Sequence, residues 1–334
     1  MSLTSTERSL FVFPATLCAA FFIFMDVTAA GGREFKWIDM PPTHVELRFG
    51  DRPVLRYMYE SYNDSTPEDR ERTYKVYHHV FNPDGSEILT KGPGGLYPHH
   101  RGLFYGFSKT RYGDGQVCDT WHSQGNVHQS HVGVLSQTAD SDQASHRLAI
   151  DWHGLDGEVI AREQRVLAVY NRPAGTLIEF TSSLKPAGEK PLHLDGDPQH
   201  AGFQFRASQE VAADTKDLTY YLRTDGKGQL GETRNWNPAD SEDPINPECT
   251  NRPWNAMSFV VERVRYTAVY LDHPENPKPG RYSERDYGRF GSYFVAEATA
   301  EKSLEIRYRI WVQEGEMTVD QCTALADQFV MPAK

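Results

Sequence analysis

Cysteine is scarce in this sequence, with four residues in 334. Cys18 lies in an N-terminal segment read below as a leader, which leaves Cys118, Cys249 and Cys322. Three thiols allow one disulfide at most, so a disulfide-stapled scaffold is excluded, and no spacing is that of a zinc finger. Clusters of lysine and arginine are missing as well. The formal net charge is −11, the opposite of the basic face that nucleic-acid binding demands, and the acidity reads as a solubility feature. Beyond the leader no apolar run approaches the length of a membrane-spanning helix. There is no G-x-S-x-G elbow, no G-x-G-x-x-G fingerprint and no phosphate loop, so serine-hydrolase, dinucleotide and P-loop chemistry have no support. KGPGGLY at 91–97 has the glycines but no helix after them, and reads as a turn.

What is present begins with a leader. One basic residue, Arg8, precedes an apolar run over 10–25 and the small residues Val27, Thr28, Ala29 and Ala30. That is the layout of a secretory signal peptide over 1–30, so an exported, periplasmic or extracellular protein is expected, with residues 31–334 as one domain. Most of that stretch reads as strands: HVELRF, PVLRYMY, HRLAIDWHG, VIAREQRVLAVY, GTLIEFTSSLK, LTYYLR, MSFVVERV, YTAVYLDH, SYFVAEATA and SLEIRYRIWVQ. Alternating Val, Ile, Tyr and Phe broken by Gly, Pro, Asn and Asp predict an all-β protein, a large antiparallel β-sandwich. Helix signal is confined to MTVDQCTALADQFV near the C-terminus, where Thr318 can cap and Leu325 and Phe329 share a face; it should pack across a sheet edge. Residues 224–253 are too polar and too long for a plain connector, and Trp236 argues that this loop is docked.

Histidine carries the functional signal. There are thirteen, grouped as His78 and His79, His99 and His100, then His122, His128 and His131, with His200 and His273 later. Clustered imidazoles beside turn residues mark a site, since histidine titrates near neutrality and ligates metals. YPHHRGLFYG at 97–106 has an echo one hundred residues on, DPQHAGFQFR, with Pro98, His100 and Gly102 matching Pro198, His200 and Gly202. If His99 and His100 stand in a strand they face opposite ways, and the echo selects His100 as the inward member. Of His78 and His79, one should likewise face out. Arg101, Arg206 and Arg285 add paired donors suited to carboxylates and vicinal hydroxyls. Trp121, Trp152, Trp236 and Trp254 could be platforms for sugar rings, although Trp152 sits in an alternating strand as a core residue would. No H-E-x-x-H or other short spacing sets two ligands and a carboxylate on one face, so no metal or other cofactor is assigned, and a transition metal stays an alternative.

PHHRGLFYGF, DTWHSQGNVH, HAGFQFR and LDHPENPKPGRYSERDYGRFGSYF, in that order across residues 45–313, resemble the secreted bacterial PmoA-like family. The resemblance implies a sandwich of the galactose-mutarotase type, found beside sugar oxidoreductases and keto-sugar-processing proteins. The methane-oxygenase name is misleading, because a membrane oxygenase subunit is a bundle of spanning helices that this chain lacks. By matching motifs the resemblance points to His100, His122, His128, His200 and Asp286 as catalytic. His99, Arg101, Arg206, His273, Arg285 and Trp121 would bind substrate. In mutarotase-like sandwiches a histidine acid and a carboxylate base act on a sugar; here Asp119, Asp286 and Glu305 are the candidate carboxylates.

The expected function is a carbohydrate-active enzyme, a lyase, hydrolase or epimerase of a sugar or keto-sugar, working by histidine and carboxylate acid–base chemistry. Its partner is a small-molecule or oligosaccharide ligand, with no nucleic acid and no membrane after leader cleavage. Two alternatives stand beside it. A binding module predicts exposed tryptophans and scattered histidines. A metal-dependent, even oxidative, enzyme predicts three ligand atoms able to meet one ion at about 2.0–2.2 Å.

Overall fold

Period-two alternation drives the architecture, and two large antiparallel sheets bury their apolar faces against each other. The computed structural model describes residue 1 and residues 33–330; the leader expected over 1–30 lies outside the described residues. One sheet has eight strands, in the order Phe35–Met40, His44–Phe49, Arg52–Met58, Tyr77–Val80, Leu103–Phe107, Ala201–Arg206, Arg289–Tyr293 and Arg281–Arg285. The other has nine and runs from Gly226–Lys227 at one edge to His128–Ala139 at the other. A four-stranded sheet carries Lys109–Tyr112 and Leu192–Asp195. The interface between the large sheets is aromatic: Phe180 stacks on Phe203 at 4.1 Å, Tyr105 meets Trp152 edge-on at 5.4 Å, and Phe205 lies 6.0 Å from Phe259. The all-β sandwich expected from the sequence is what the chain forms.

Details depart from the sequence reading where backbone chemistry overrides the pattern. MSFVVERV is not one strand. Glu262 and Arg263 both take left-handed φ (49° and 66°) and turn Trp254–Val261 back into Val264–Asp272, the two-residue connection that matches sheet twist. A short helix, Pro67–Thr73, was not anticipated; Thr66 accepts the Asp69 amide and Pro67 occupies its first turn. The C-terminal helix is Val319–Val330, with Thr318 Oγ accepting the Gln321 amide. Its Cys322, Ala326 and Phe329 pack on Trp254, Ala256, Val269, Leu271 and Trp311, so it covers the outer face of the nine-stranded sheet rather than an edge. Cys118, Cys249 and Cys322 are all buried free thiols. No described helix is long and apolar enough to cross a membrane.

The long polar loop is docked, as Trp236 suggested. Asn235 bridges Ser283 and Thr250 bridges Arg281, so the loop extends the edge of the eight-stranded sheet. Arg281 lies over the Trp236 ring at 4.8 Å. Beneath it, the fully buried Glu284 accepts from Arg223 (2.6 Å), Arg252 (3.1 Å), Asn255 (3.0 Å) and the Arg234 amide (2.8 Å).

His78 and His79 are both buried, not one in and one out, because the eight-stranded sheet is covered on both sides here. His79 turns to Thr90 on the outer face (3.1 Å), while His78 reaches across the sandwich so that its Nε2 meets His146 Nε2 at 3.0 Å. Only one of these nitrogens can carry the shared hydrogen, so the two rings cannot both be protonated while the bond is kept. Burial, then the charges of His146 and Arg165, hold His78 far below its ordinary pKa, and burial with Arg165 lowers His146 to about 3. An unfolded histidine titrates near 6.5, so the unfolded chain binds more protons below that pH and stability falls as acid is added. The contribution is complete above about pH 6.5 and fades towards about pH 3. Replacing both residues with leucine should make the melting temperature less steeply dependent on pH between these limits, by up to about two protons per molecule. An unchanged slope would show that this pair does not govern acid stability.

Candidate metal centre

The site sits on the outer face of the eight-stranded sheet. In Leu103–Phe107 the odd residues enter the main core, whereas Phe104 points outward to Tyr77 and Trp121. On the neighbouring strands Arg206 and Arg289 are directly paired in register, with Gln204 on the same face bonding Arg289 Nη1 at 2.9 Å. Three loops close over this floor. The first, 91–102, is a turn rather than a strand: the His100 amide bonds Tyr97 O at 3.1 Å, and Tyr97 has φ of 54°. The strand argument that would have split His99 from His100 therefore does not apply, and their rings touch at 4.3 Å. The second follows Cys118, where the Thr120 amide bonds Phe107 O at 2.9 Å. The third, 196–200, leads into Ala201–Arg206. It needs Gly202 at φ 81°, since a Cβ there would come within 2.1 Å of Ser292 O.

His99, His122 and His200 converge, each offering a nitrogen within 4.8 Å of the other two. Ring centroids are 4.5 Å apart for His99 and His122, 4.5 Å for His122 and His200, and 5.3 Å for His99 and His200. Tetrahedral bonds of about 2.1 Å would set three nitrogens about 3.4 Å apart. Each of two imidazoles has its own carboxylate. His122 Nδ1 lies 2.6 Å from Asp119 Oδ2, and His200 Nδ1 lies 3.1 Å from Asp197 Oδ2. With Nδ1–H donating to a carboxylate, the lone pair is left on Nε2, as in the outer shell of metal-binding histidines. Asp119 Oδ1 also caps the Trp121 and His122 amides (2.9 and 2.7 Å), so the arm is rigid. His99 Nε2 is buried and without a hydrogen bond. Burial first, then the charges of Lys75, His122 and His200, lower His99 to about 3, so it is a neutral, ligand-ready imidazole at pH 7. For Asp197 burial pushes the pKa up, but the hydrogen bond and charge of His200 outweigh it and the net shift is downward.

Other sequence-nominated residues fall into three groups. His100 and Trp121 belong to the site. His100 is fully buried and lies 4.3 Å from His99 and 5.8 Å from both His200 and Trp121, with neither ring nitrogen bonded. Arg101 and Arg206 lie beside it but give their Nη hydrogens to carbonyls: Arg101 to Pro98, His100 and Glu71, and Arg206 to Ala207 and Tyr287. The rest are elsewhere. His128 is stacked between Tyr62 and His153, 3.9 Å from each, with Nδ1 on Asn126 O. His273 packs on Phe329 of the C-terminal helix at 5.0 Å. Arg285 binds Asn235 and its neighbour's carbonyl, Asp286 stands half-buried in the following turn, and Glu305 bonds Ser183 and Ser303. Of the candidate carboxylates only Asp119 reaches a site histidine. Asp197 was missed, though a signal existed: D-x-x-H occurs at Asp119–His122 and again at Asp197–His200. Tyr287, Arg289 and Lys75 were also missed, being contributed by distant segments. Trp121, Trp152 and Trp254 are buried, so they form no exposed platform of the kind a binding module would show. A cleft of about 610 Å³ among the hairpin turns, lined by Arg33, Arg52 and Arg172 among others, contains none of the histidines.

No curated protein matches the chain. Among solved structures, the galactosidase domain of an alpha-galactosidase–sucrose kinase matches with TM-score 0.40 and 8% identity over 84% of this chain and 42% of that one. A Geobacillus stearothermophilus family 36 alpha-galactosidase in complex with 1-deoxygalactonojirimycin matches with TM-score 0.38 and 8% identity over 86% and 40%. A galactose mutarotase related enzyme from Lactobacillus acidophilus matches with TM-score 0.29 and 9% identity over 72% and 95%. The chain thus spans about two fifths of the length of the first two, and likeness at this level carries no argument about the site. Residues 44–327 match a family described as "Family of unknown function (DUF6807)", a description without the methane-oxygenase label. The match covers most of the sequence, and the chain belongs to the DUF6807 family, whose function is unknown.

Proposed function

We propose that this protein is an exported, metal-dependent enzyme acting on a sugar or keto-sugar derivative, with one divalent first-row transition-metal ion held by His99, His122 and His200. The observation that carries this is the convergence of three imidazoles, two of them backed through Nδ1 by Asp119 and Asp197. A structural zinc site uses four protein ligands, whereas three leave a position open for substrate. An ion so held would polarise a carbonyl or hydroxyl oxygen, which suits lyase, hydrolase or epimerase chemistry. The chain's own residues do the rest. Asp119 and Asp197 fix the ring orientations, and buried, neutral His100 is placed to exchange a proton with a bound substrate. The sugar assignment is supported by the sequence resemblance, and export by the leader-like first thirty residues.

The test is elemental analysis of protein stripped by chelation and reloaded with zinc or cobalt. About one ion per chain should be retained after desalting, with a raised melting temperature, since a ligand that binds only the folded state stabilises it. Negligible retention without a thermal shift would return the site to metal-free acid–base chemistry.

A further inference from the structure

Buried arginines divide into two kinds in this molecule. Among the described residues six are buried: Arg101, Arg165, Arg206, Arg223, Arg252 and Arg289. Three have carboxylate partners, Arg165 with Glu163 and both Arg223 and Arg252 with Glu284. The other three, Arg101, Arg206 and Arg289, have no carboxylate within salt-bridge distance, and all three adjoin the histidine centre. Two buried lysines, Lys75 and Lys91, also lack a carboxylate partner there. Lys75 Nζ donates to His99 O and lies 4.3 Å from the Phe104 ring centroid; Lys91 Nζ donates to Gly92 O and Gly94 O. Of the carboxylates beside them, Asp119 and Asp197 are engaged by His122 and His200, and Glu71, near Lys91, accepts the Gly94 amide at 2.7 Å. A buried guanidinium charge without a counter-charge is costly. Concentrating it in one basin of a chain whose net charge is −11 makes sense where a ligand supplies the missing charge.

Arg206 and Arg289 are the best placed of the set. They pair directly across adjacent strands, beneath His100. Arg206 Nε and Nη2 and Arg289 Nε are buried without any hydrogen-bond partner, as are both nitrogens of His100 and Nε1 of Trp121. Six donor or acceptor atoms left open around one spot are a pattern native interiors avoid unless something binds there. The Tyr287 ring covers Arg206 at 5.1 Å and stacks on the exposed Tyr97 at 4.2 Å, so the route to the guanidinium groups passes these two loop tyrosines.

We infer that the natural ligand of this site is anionic, a molecule whose carboxylate or phosphoryl oxygens are received by Arg206 and Arg289 while its reacting end faces His99, His122 and His200. This rests on the proposed metal site for the reacting end, but not for the anion. A guanidinium fork matches two oxygens of either group, so a sugar acid and a sugar phosphate share the required chemistry, and a neutral sugar does not.

The experiment titrates inorganic phosphate, D-glucuronate and D-glucose into zinc-loaded and chelator-stripped protein by calorimetry, with zinc content measured on the same samples. Phosphate or D-glucuronate should bind the wild type and D-glucose should not, the tighter anion indicating the source. Arg206→Gln and Arg289→Gln should weaken that binding at least tenfold, which one lost charged hydrogen bond amounts to, with zinc content unchanged. As a check independent of folding, phenylglyoxal labelling of wild-type protein mapped by mass spectrometry should show Arg206 or Arg289 protected by the bound anion. No anion binding to the wild type, equal binding by folded variants, or no protection overturns the inference. Zinc retained without anion binding leaves the metal centre standing alone. Anion binding that needs Arg206 in a protein that retains no zinc removes the metal and keeps the anion basin.

Discussion

Replacing His200 with alanine is expected to leave a folded protein that no longer holds a metal ion. Complete zinc sites bind with about 10–16 kcal/mol shared over their ligands, so one ligand is worth about 3 kcal/mol or more, a loss of at least about a hundredfold in affinity. His200 is about a quarter exposed in its side chain (23%) and its partner Asp197 is half exposed (49%), so little packing is lost and the melting temperature of the stripped protein should stay close to wild type. His99→Ala and His122→Ala should behave the same way. Asp119→Asn and Asp197→Asn test the outer shell: each keeps the ligand but weakens its orientation, and a smaller loss, about 10–100-fold, is expected. Isothermal titration of zinc into stripped protein separates these. Ligand variants that bind as tightly as wild type would sink the assignment, and so would an asparagine series with larger losses than the alanine series.

The second large effect concerns stability. Glu284→Ala should cost about 3–5 kcal/mol, because it strands Arg223 and Arg252, both buried, without a counter-charge. In a body of this size that corresponds to about 5–8 °C in melting temperature. The loss should be local in origin. Glu284 also accepts from the Arg234 amide and from Asn255, so the loop over 224–253 loses its anchor, and limited proteolysis should cut it first. Glu284→Gln retains the shape and removes the charge, and should fall between alanine and wild type. A melting temperature within about 1 °C of wild type for the alanine variant would mean that the arginines find other partners.

The fold was legible because its signal is local and repeated. Strands such as Val159–Arg172 and Gly175–Pro186 alternate buried and half-buried residues nearly without fault, and no single misplaced boundary changes the class. Breaks were harder to see. The Glu262–Arg263 turn uses residues with no special affinity for left-handed φ, so the run over it looked continuous. At the site, histidine clustering and the motif resemblance point to His99, His100, His122, His200 and Trp121, and the structure brings these five together. His128 was grouped with His122 by proximity in sequence, but a strand start carries it to Tyr62 and His153. Asp197 shows only in the repeated D-x-x-H spacing that ties it to His200 within one loop, whereas Arg289 gains its meaning from a partner on the neighbouring strand, Arg206, with which it pairs in register. Sequence shows which residues are unusual; pairing decides which of them meet.

The two D-x-x-H arms have a consequence for how the molecule is quality-controlled. Leu103–Phe107 and Ala201–Arg206 run antiparallel, with Ala201 opposite Phe107 and Phe205 opposite Leu103. The loop bearing His99 precedes one strand, the loop bearing Asp197 and His200 precedes the other, and the segment bearing Asp119 and His122 is tied to Phe107. No single arm supplies three ligands. A slip of one residue between these strands would turn Phe104 inward and draw the arms apart, so a misregistered chain could not assemble the centre. Metal content per chain would then count correctly assembled molecules, and the ion would act as a clasp whose closing certifies that segments a hundred residues apart have found each other.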